Sequence, residues 1–174
     1  MSEPVQIVAY DPQWPLIFAR LSETIRRELG ALALRVEHVG STAVPGLSAK
    51  PIVDLDVVIG DRADLPAVIA ALRPLGYTHE GDCGIPGREA FTTPRGAPAH
   101  HLYVCAADGA ELARHLAFRD FLRADPESAR RYDALKRDLA ERYRGDRSAY
   151  GAGKSAFIAA ILAEALGNGP STSR

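Results

Sequence analysis

Cysteine is scarce in this 174-residue sequence: Cys83 and Cys105 are the only two, and neither belongs to a C-x-x-C pair. A disulfide framework is therefore not expected, and two ordinary thiols in a reducing cytoplasm are. An excess of charge of either sign is lacking as well. The net charge is −1 and the pI about 6.5, so neither nucleic acid nor an anionic lipid surface is expected to attract the chain as a whole. Met1–Tyr10 has no basic stretch ahead of an apolar one, which removes the pattern of a secretory signal. No apolar run approaches the roughly 20 residues that cross a bilayer, so no membrane contact is expected. A P-loop is missing too. Gly151-Ala-Gly-Lys-Ser155 resembles the end of one, but Ser148 stands where its first glycine belongs, and helical segments rather than a strand precede it.

What is present is 47% hydrophobic. A chain of this length buries roughly 70% of its unfolded surface, enough for one globular domain. That domain is expected over residues 1–166, with a Gly/Ser/Pro-rich tail at 167–174 expected to be disordered. Val5–Ala9 alternates loosely and reads as a short strand. Asp11-Pro12 reads as the cap and first turn of a helix carrying Trp14, Phe18, Leu21, Ile25 and Leu29 on one stripe, closed by Gly30. Strands are expected at Leu34–Val39, Ile52–Ile59, Tyr77–Glu80, Arg88–Thr93 and His100–Cys105, with Pro94–Pro98 as a hairpin link. A helix is expected at Ala63–Leu75, ended by Gly76. The last third reads as helices at Leu112–Arg123, Pro126–Tyr143 and Ser148–Leu166, with Asp125 and Ser148 as caps of the second and third.

The chemistry concentrates in His38-Val-Gly-Ser-Thr-Ala-Val-Pro-Gly46 and in Lys50-Pro-Ile-Val-Asp54-Leu-Asp56-Val57. Strand alternation puts Asp54 and Asp56 on one face and Val53, Leu55 and Val57 on the other. Two neighbouring carboxylates in an apolar strand repel each other when desolvated, and a divalent cation offsets that cost. Gly40 permits a close backbone approach, and Ser41 and Thr42 add hydroxyl groups at a turn whose free amides suit an anion. A turn for a polyphosphate beside carboxylates for Mg²⁺ or Mn²⁺ is what metal-assisted nucleotidyl transfer needs. On the expected strand His100–Cys105, His101 and Tyr103 share one face and Leu102 and Val104 the other. Lys50, Arg88 and Lys154 are further cations that could face the same cleft. Arg88 also reads as half of a cross-strand ion pair with Glu89 or a neighbour, and His38 as a structural histidine.

Gly-Ser, a spacer and Asp-x-Asp on a strand resemble the signature of the nucleotidyltransferase fold. More narrowly, the chain resembles the GrpB family, through Tyr10-Asp-Pro-Gln-Trp14, His38–Leu47, Lys50–Val57, His101-Leu-Tyr-Val104, Phe118–Arg123 and Lys154–Ile158. The resemblance implies an α/β (α+β) fold: a nucleotidyltransferase-like mixed β-sheet with flanking helices, set on one side, and a helical C-terminal third. It implies that Ser41 binds phosphate and that Asp54 and Asp56 bind metal. The third carboxylate usual in active nucleotidyltransferases is not evident, and His101 stands near its place as a base or metal ligand. Glu37 is another acid nearby, alternating with His38.

The function implied is Mg²⁺-dependent transfer of a nucleotidyl group from an NTP, or action on another phosphorylated small molecule, in the cytoplasm. Two other readings stand beside it. One is a non-catalytic anion-binding or folding-accessory domain with a protein partner or a second copy, as in a similar domain fused behind dephospho-CoA kinase in some actinobacteria. The other is a two-metal phosphoesterase in which His38 and His101 join the aspartates.

Overall fold

The structure, a computed structural model, describes residues 4–167. Its strands are β1 (Arg35–Val39), β2 (Val53–Ile59), β3 (His79–Gly81), β4 (Arg88–Phe91) and β5 (His100–Ala106), and its helices α1 (Gln13–Leu29), α2 (Leu65–Leu72), α3 (Ala110–Ala124), α4 (Pro126–Arg142) and α5 (Arg147–Gly167). The strands form one mixed sheet in the order β1-β2-β5-β4-β3. β2 and β5 are parallel and every other neighbouring pair is antiparallel. A parallel pair needs a long crossover, here supplied by α2 and the β3–β4 hairpin.

Alternation along β2 and β5 divides the molecule. Val53, Leu55, Val57, Leu102 and Val104 pack against Trp14, Ile25 and Leu29 of α1 and Val68 and Leu72 of α2. The other face carries Asp54, Asp56 and Val58 opposite His101, Tyr103 and Cys105. Leu112 and Leu116 of α3 cover its apolar end at Val58 and Cys105. Helices thus flank both faces, because the helical third closes over the face that carries the aspartates. Val44, Leu47, Leu122 and Tyr132 join α3 and α4 to the turn after β1, and Phe157 and Ile158 of α5 pack against them. A Cβ on Gly153 would lie 2.5 Å from Leu139 Cδ2, so this glycine of the P-loop-like stretch serves the close approach of α5 to α4.

Several boundaries differ from the sequence reading for local reasons. Val5–Ala9 forms a single bridge, Val8 to Ala49, because no strand runs beside the rest of it. The helix expected at Ala63–Leu75 is α2 between two 3₁₀ turns; Pro74, in the second of them, has no amide hydrogen to continue the α-helical ladder. Asp146, not Ser148, caps α5, its Oδ1 accepting from the Ala149 amide at 2.9 Å. Asp125 caps α4 as expected. Alanine and glycine make α5 long and apolar enough, by length and composition, to match a bilayer span, contrary to expectation. Its Tyr150, Ile161 and Leu162 are buried within the protein. The tail proposed at 167–174 lies, apart from Gly167 at the end of α5, outside the described residues.

Leu55 is fully buried in the centre of the sheet. Leu55→Ala is expected to cost about 2–5 kcal/mol through the cavity it leaves, read as a lower urea midpoint with an unchanged slope.

Candidate functional site

β1 ends at Gly40, whose φ is 71°. Val39 pairs with Asp54 across the sheet, and a Cβ on residue 40 would lie 2.3 Å from Asp54 Oδ2. Only glycine therefore brings this turn against that carboxylate. Ser41–Ala43 continues as a tight 3₁₀ turn. The Thr42 hydroxyl lies 2.9 Å from His38 Nε2 in a buried hydrogen bond. From outside, Arg119 donates to the His38 carbonyl at 3.0 Å, and Arg123 to the Ala43 carbonyl at 2.9 Å. Two guanidinium groups one helical turn apart on α3 thus bracket the turn.

The carboxylates are each held by a histidine. His101 Nδ1 donates to Asp54 Oδ1 at 2.8 Å, and His115 Nδ1 to Asp56 Oδ2 at 2.7 Å. Asp54 keeps 27% of its side-chain surface exposed, and Asp56 none. Asp56 Oδ1 and Arg88 Nε are buried without a hydrogen-bond partner among the described residues. Burial raises the Asp56 pKa, against the hydrogen bond and charge of His115. Burial disfavours the charged His115 ring, but its hydrogen bond to Asp56 and the Asp56 charge outweigh that and raise its pKa. The pair as a unit therefore holds its protons more firmly than the separate groups would. An orphaned, fully buried carboxylate oxygen suits a cation. Among the described residues, however, no three His, Cys, Asp or Glu side chains converge on one point. An ion at Asp54 and Asp56 would complete its shell from phosphate and water, the habit of Mg²⁺.

Asp54 opens onto a cavity of about 350 Å³. Gly40, Ser41, Thr42 and His101 share its wall with Asp54, and Glu111, Arg114 and His115 reach it from α3. Lys136 and Tyr132 come from α4, Lys154 and Tyr150 from α5, and Lys50 from the segment before β2. Lys154 and Lys50 stand over the Tyr150 ring at 4.6 and 5.7 Å, and Lys136 over Tyr132 at 4.9 Å. Burial, then the Lys50 charge, pushes Lys154 down to about 8 against the pull of Asp54.

Of the residues expected at the site, Gly40, Ser41, Thr42, Lys50, Asp54, His101 and Lys154 line this cavity. Asp56, Tyr103 and Arg88 lie on the same sheet face outside its lining, the Arg88 guanidinium 4.2 Å from the Tyr103 ring centre. Arg88 does not pair with Glu89, which is taken by His79 and Arg62. Glu37 sits opposite Asp56 in register but is tied to Arg119 and Arg35. His38 lies on the α1 face, stacked on Phe18 at 4.7 Å, so the two-metal arrangement of His38 with His101 does not form. Sequence reasoning missed His115, Glu111, Arg114 and Lys136. The signal was in the stripes: His115 sits between Leu112 and Leu122 on the buried face of α3, and Lys136 between Tyr132 and Leu139 on that of α4.

The GrpB family, described as GrpB protein, matches residues 4–164. The chain belongs to the GrpB family. A UPF0157 protein of Pseudomonas aeruginosa is 40% identical over 93% of this chain and 68% of its own length. A dephospho-CoA kinase of Mycolicibacterium paratuberculosis is 31% identical over 89% of this chain but only 44% of its own length. The crystal structure of GrpB from Enterococcus faecalis superposes with a TM-score of 0.85 at 34% identity, covering 93% of this chain and 98% of that one. Terminal uridylyl transferase 4 from Trypanosoma brucei, with bound UTP, gives a TM-score of 0.52 at 18% identity over 92% of this chain and 52% of that one. The GrpB fold here is thus a nucleotidyltransferase-like fold.

His38, 8% exposed, has its pKa lowered to about 4 by burial, with Asp54 opposing and Arg123 and Arg119 assisting. Its neutral form belongs to the fold, so its contribution is complete above about pH 6.5 and is lost as pH falls toward 4. Between pH 7 and 4.5 the wild type is expected to lose roughly 2–3 kcal/mol more than His38→Gln, measured by urea unfolding.

Proposed function

We propose that this GrpB-family protein is a Mg²⁺-dependent nucleotidyltransferase that moves a nucleotidyl group from an NTP to an acceptor. The observation that carries the reading is the Asp54 carboxylate pressed against the Gly40-Ser41 turn, at a cavity that Lys50, Lys136 and Lys154 also line, in a nucleotidyltransferase-like fold. Asp54 and the unpartnered oxygen of Asp56 would hold Mg²⁺, which supplies charge neutralisation at the phosphates when bound. Ser41, Thr42 and the turn amides would hold phosphate oxygens, and Lys50 and Lys154, on the same lining, would add positive charge to them. Arg88 and Tyr103, outside the lining, would act only through Asp56. His101, across β5 from Asp54, would orient the acceptor and take its proton, in place of a third carboxylate. A reducing, NTP-containing cytoplasm is the matching compartment.

A second reading has its own support. Both aspartates are already held by histidines, as in a domain kept for structure, and the dephospho-CoA kinase relative carries a like segment within a longer chain. In that reading the cavity holds a nucleotide or other anion without turnover, or the domain supports a protein partner or a second copy.

Thermal unfolding with each NTP, with and without Mg²⁺, separates the two. At 100 times its Kd an NTP should stabilise the wild type by about 2.7 kcal/mol, a rise of roughly 5–10 °C. A Mg²⁺-dependent rise that disappears in Asp54→Asn, with label transferred from an α-labelled NTP, supports transfer. A rise independent of both Mg²⁺ and Asp54, with no label transferred, favours the binding domain.

A further inference from the structure

Lysine is rare in this chain: only Lys50, Lys136 and Lys154 occur among its 21 lysine and arginine residues. All three line the one cavity that Asp54 opens onto, reaching it from three different segments. The ion pairs among the described residues are made by arginines and histidines, and none by a lysine. The nearby carboxylates have other partners. Asp54 accepts from His101, Glu111 on the lining pairs with Arg114, and Asp133, beside Lys136, accepts from Arg137 and from the Ser48 amide.

Lys136 is 2% exposed and donates to the Ser48 carbonyl, a neutral partner. Three ammonium groups that line one half-closed space and lean on two tyrosine rings, with no ion pair to any of them among the described residues, concentrate positive charge there. Such a concentration is costly unless an anion joins it. Lysine also differs from arginine here in kind. Its ammonium is a compact, rotatable point charge that can follow a flexible chain of phosphates, whereas a guanidinium imposes a planar fork.

Ammonium contacts to a phosphate chain position a ligand but carry no information about the base attached to it.

We propose that the three-lysine wall is a polyphosphate subsite that binds a diphosphate or triphosphate chain without a divalent cation and without regard to the base it carries. This rests on the transfer reading in one respect: pyrophosphate is the fragment that such a transfer releases. The shared ligand chemistry is the phosphate chain, supplied either by an NTP or by inorganic polyphosphate.

Titration calorimetry in EDTA, with inorganic pyrophosphate, tripolyphosphate, orthophosphate, the four NTPs and uridine as probes, tests it. Pyrophosphate and tripolyphosphate are expected to bind at least tenfold tighter than orthophosphate, and uridine not to bind. The four NTPs are expected to agree within about threefold. Lys50→Gln and Lys154→Gln are each expected to weaken pyrophosphate tenfold or more, and Lys154→Arg, which keeps the charge but not the compact ammonium, by less than Lys154→Gln does. These sites are preferred to Lys136, whose replacement in the core threatens folding; circular dichroism confirms that the variants are folded. Pyrophosphate affinity unchanged in both glutamine variants overturns the proposal. Binding of NTPs only with Mg²⁺, with no binding of pyrophosphate in EDTA, overturns it while leaving nucleotidyl transfer standing. Binding of none of the probes under either condition overturns both.

Discussion

Strand β2 has to bury both of its faces, and only one of them is apolar. Val53, Leu55 and Val57 turn to α1 and α2, and the same alternation drives Asp54 and Asp56 under the helical third. Desolvating Asp56, with a second carboxylate two residues away on the same strand, is costly, and the surrounding architecture answers it. His101 comes from the parallel neighbour and His115 from α3, each giving a ring N–H to one carboxylate. α3 is anchored in turn by Arg119 and Arg123 to the carbonyls that flank the Gly40-Ser41 turn. The strand, the turn and the covering helix are thus tied into one unit around the acids.

The two aspartates do not end up equivalent. Asp54 sits where β2 meets the turn, half open to the cavity, whereas Asp56 lies deeper and is closed over by α3. Position along one strand separates a carboxylate on the cavity lining from one that is sealed, with one oxygen lacking a hydrogen-bond partner among the described residues. The cation arrangement is the counterpart. Helices α4 and α5 each carry one lysine on an otherwise apolar stripe, each beside a tyrosine ring at the cavity that Asp54 opens onto. Carboxylates and ammonium groups thus meet in one lining.

Local signals in the sequence were strong where a residue has a local reason to be there. Gly40 follows from a backbone conformation, Asp125 from a helix cap, and the valines and isoleucines of β2 from alternation. The apolar stripe of α1 and the five strands follow from periodicity to within a few residues. Where an element depends on a distant neighbour, local signals fail. Val5–Ala9 alternates like a strand but makes a single bridge, to Ala49, and Val5 instead bonds to Arg144 and packs against α4 and α5.

The sequence by itself determined the positions of the turn and the Asp-x-Asp strand, because turn chemistry and alternation act over a few residues, and its resemblance to the GrpB family supplied the fold class. Only the tertiary structure decided that Asp56 is sealed while Asp54 is open, that Glu37 is committed to arginines, and that His38 faces away. It also decided that His115, Lys136 and Lys154 meet in one cavity. Those facts depend on which helix closes over which face of the sheet, and that is settled by packing between residues some 60 to 100 positions apart, which no local pattern encodes.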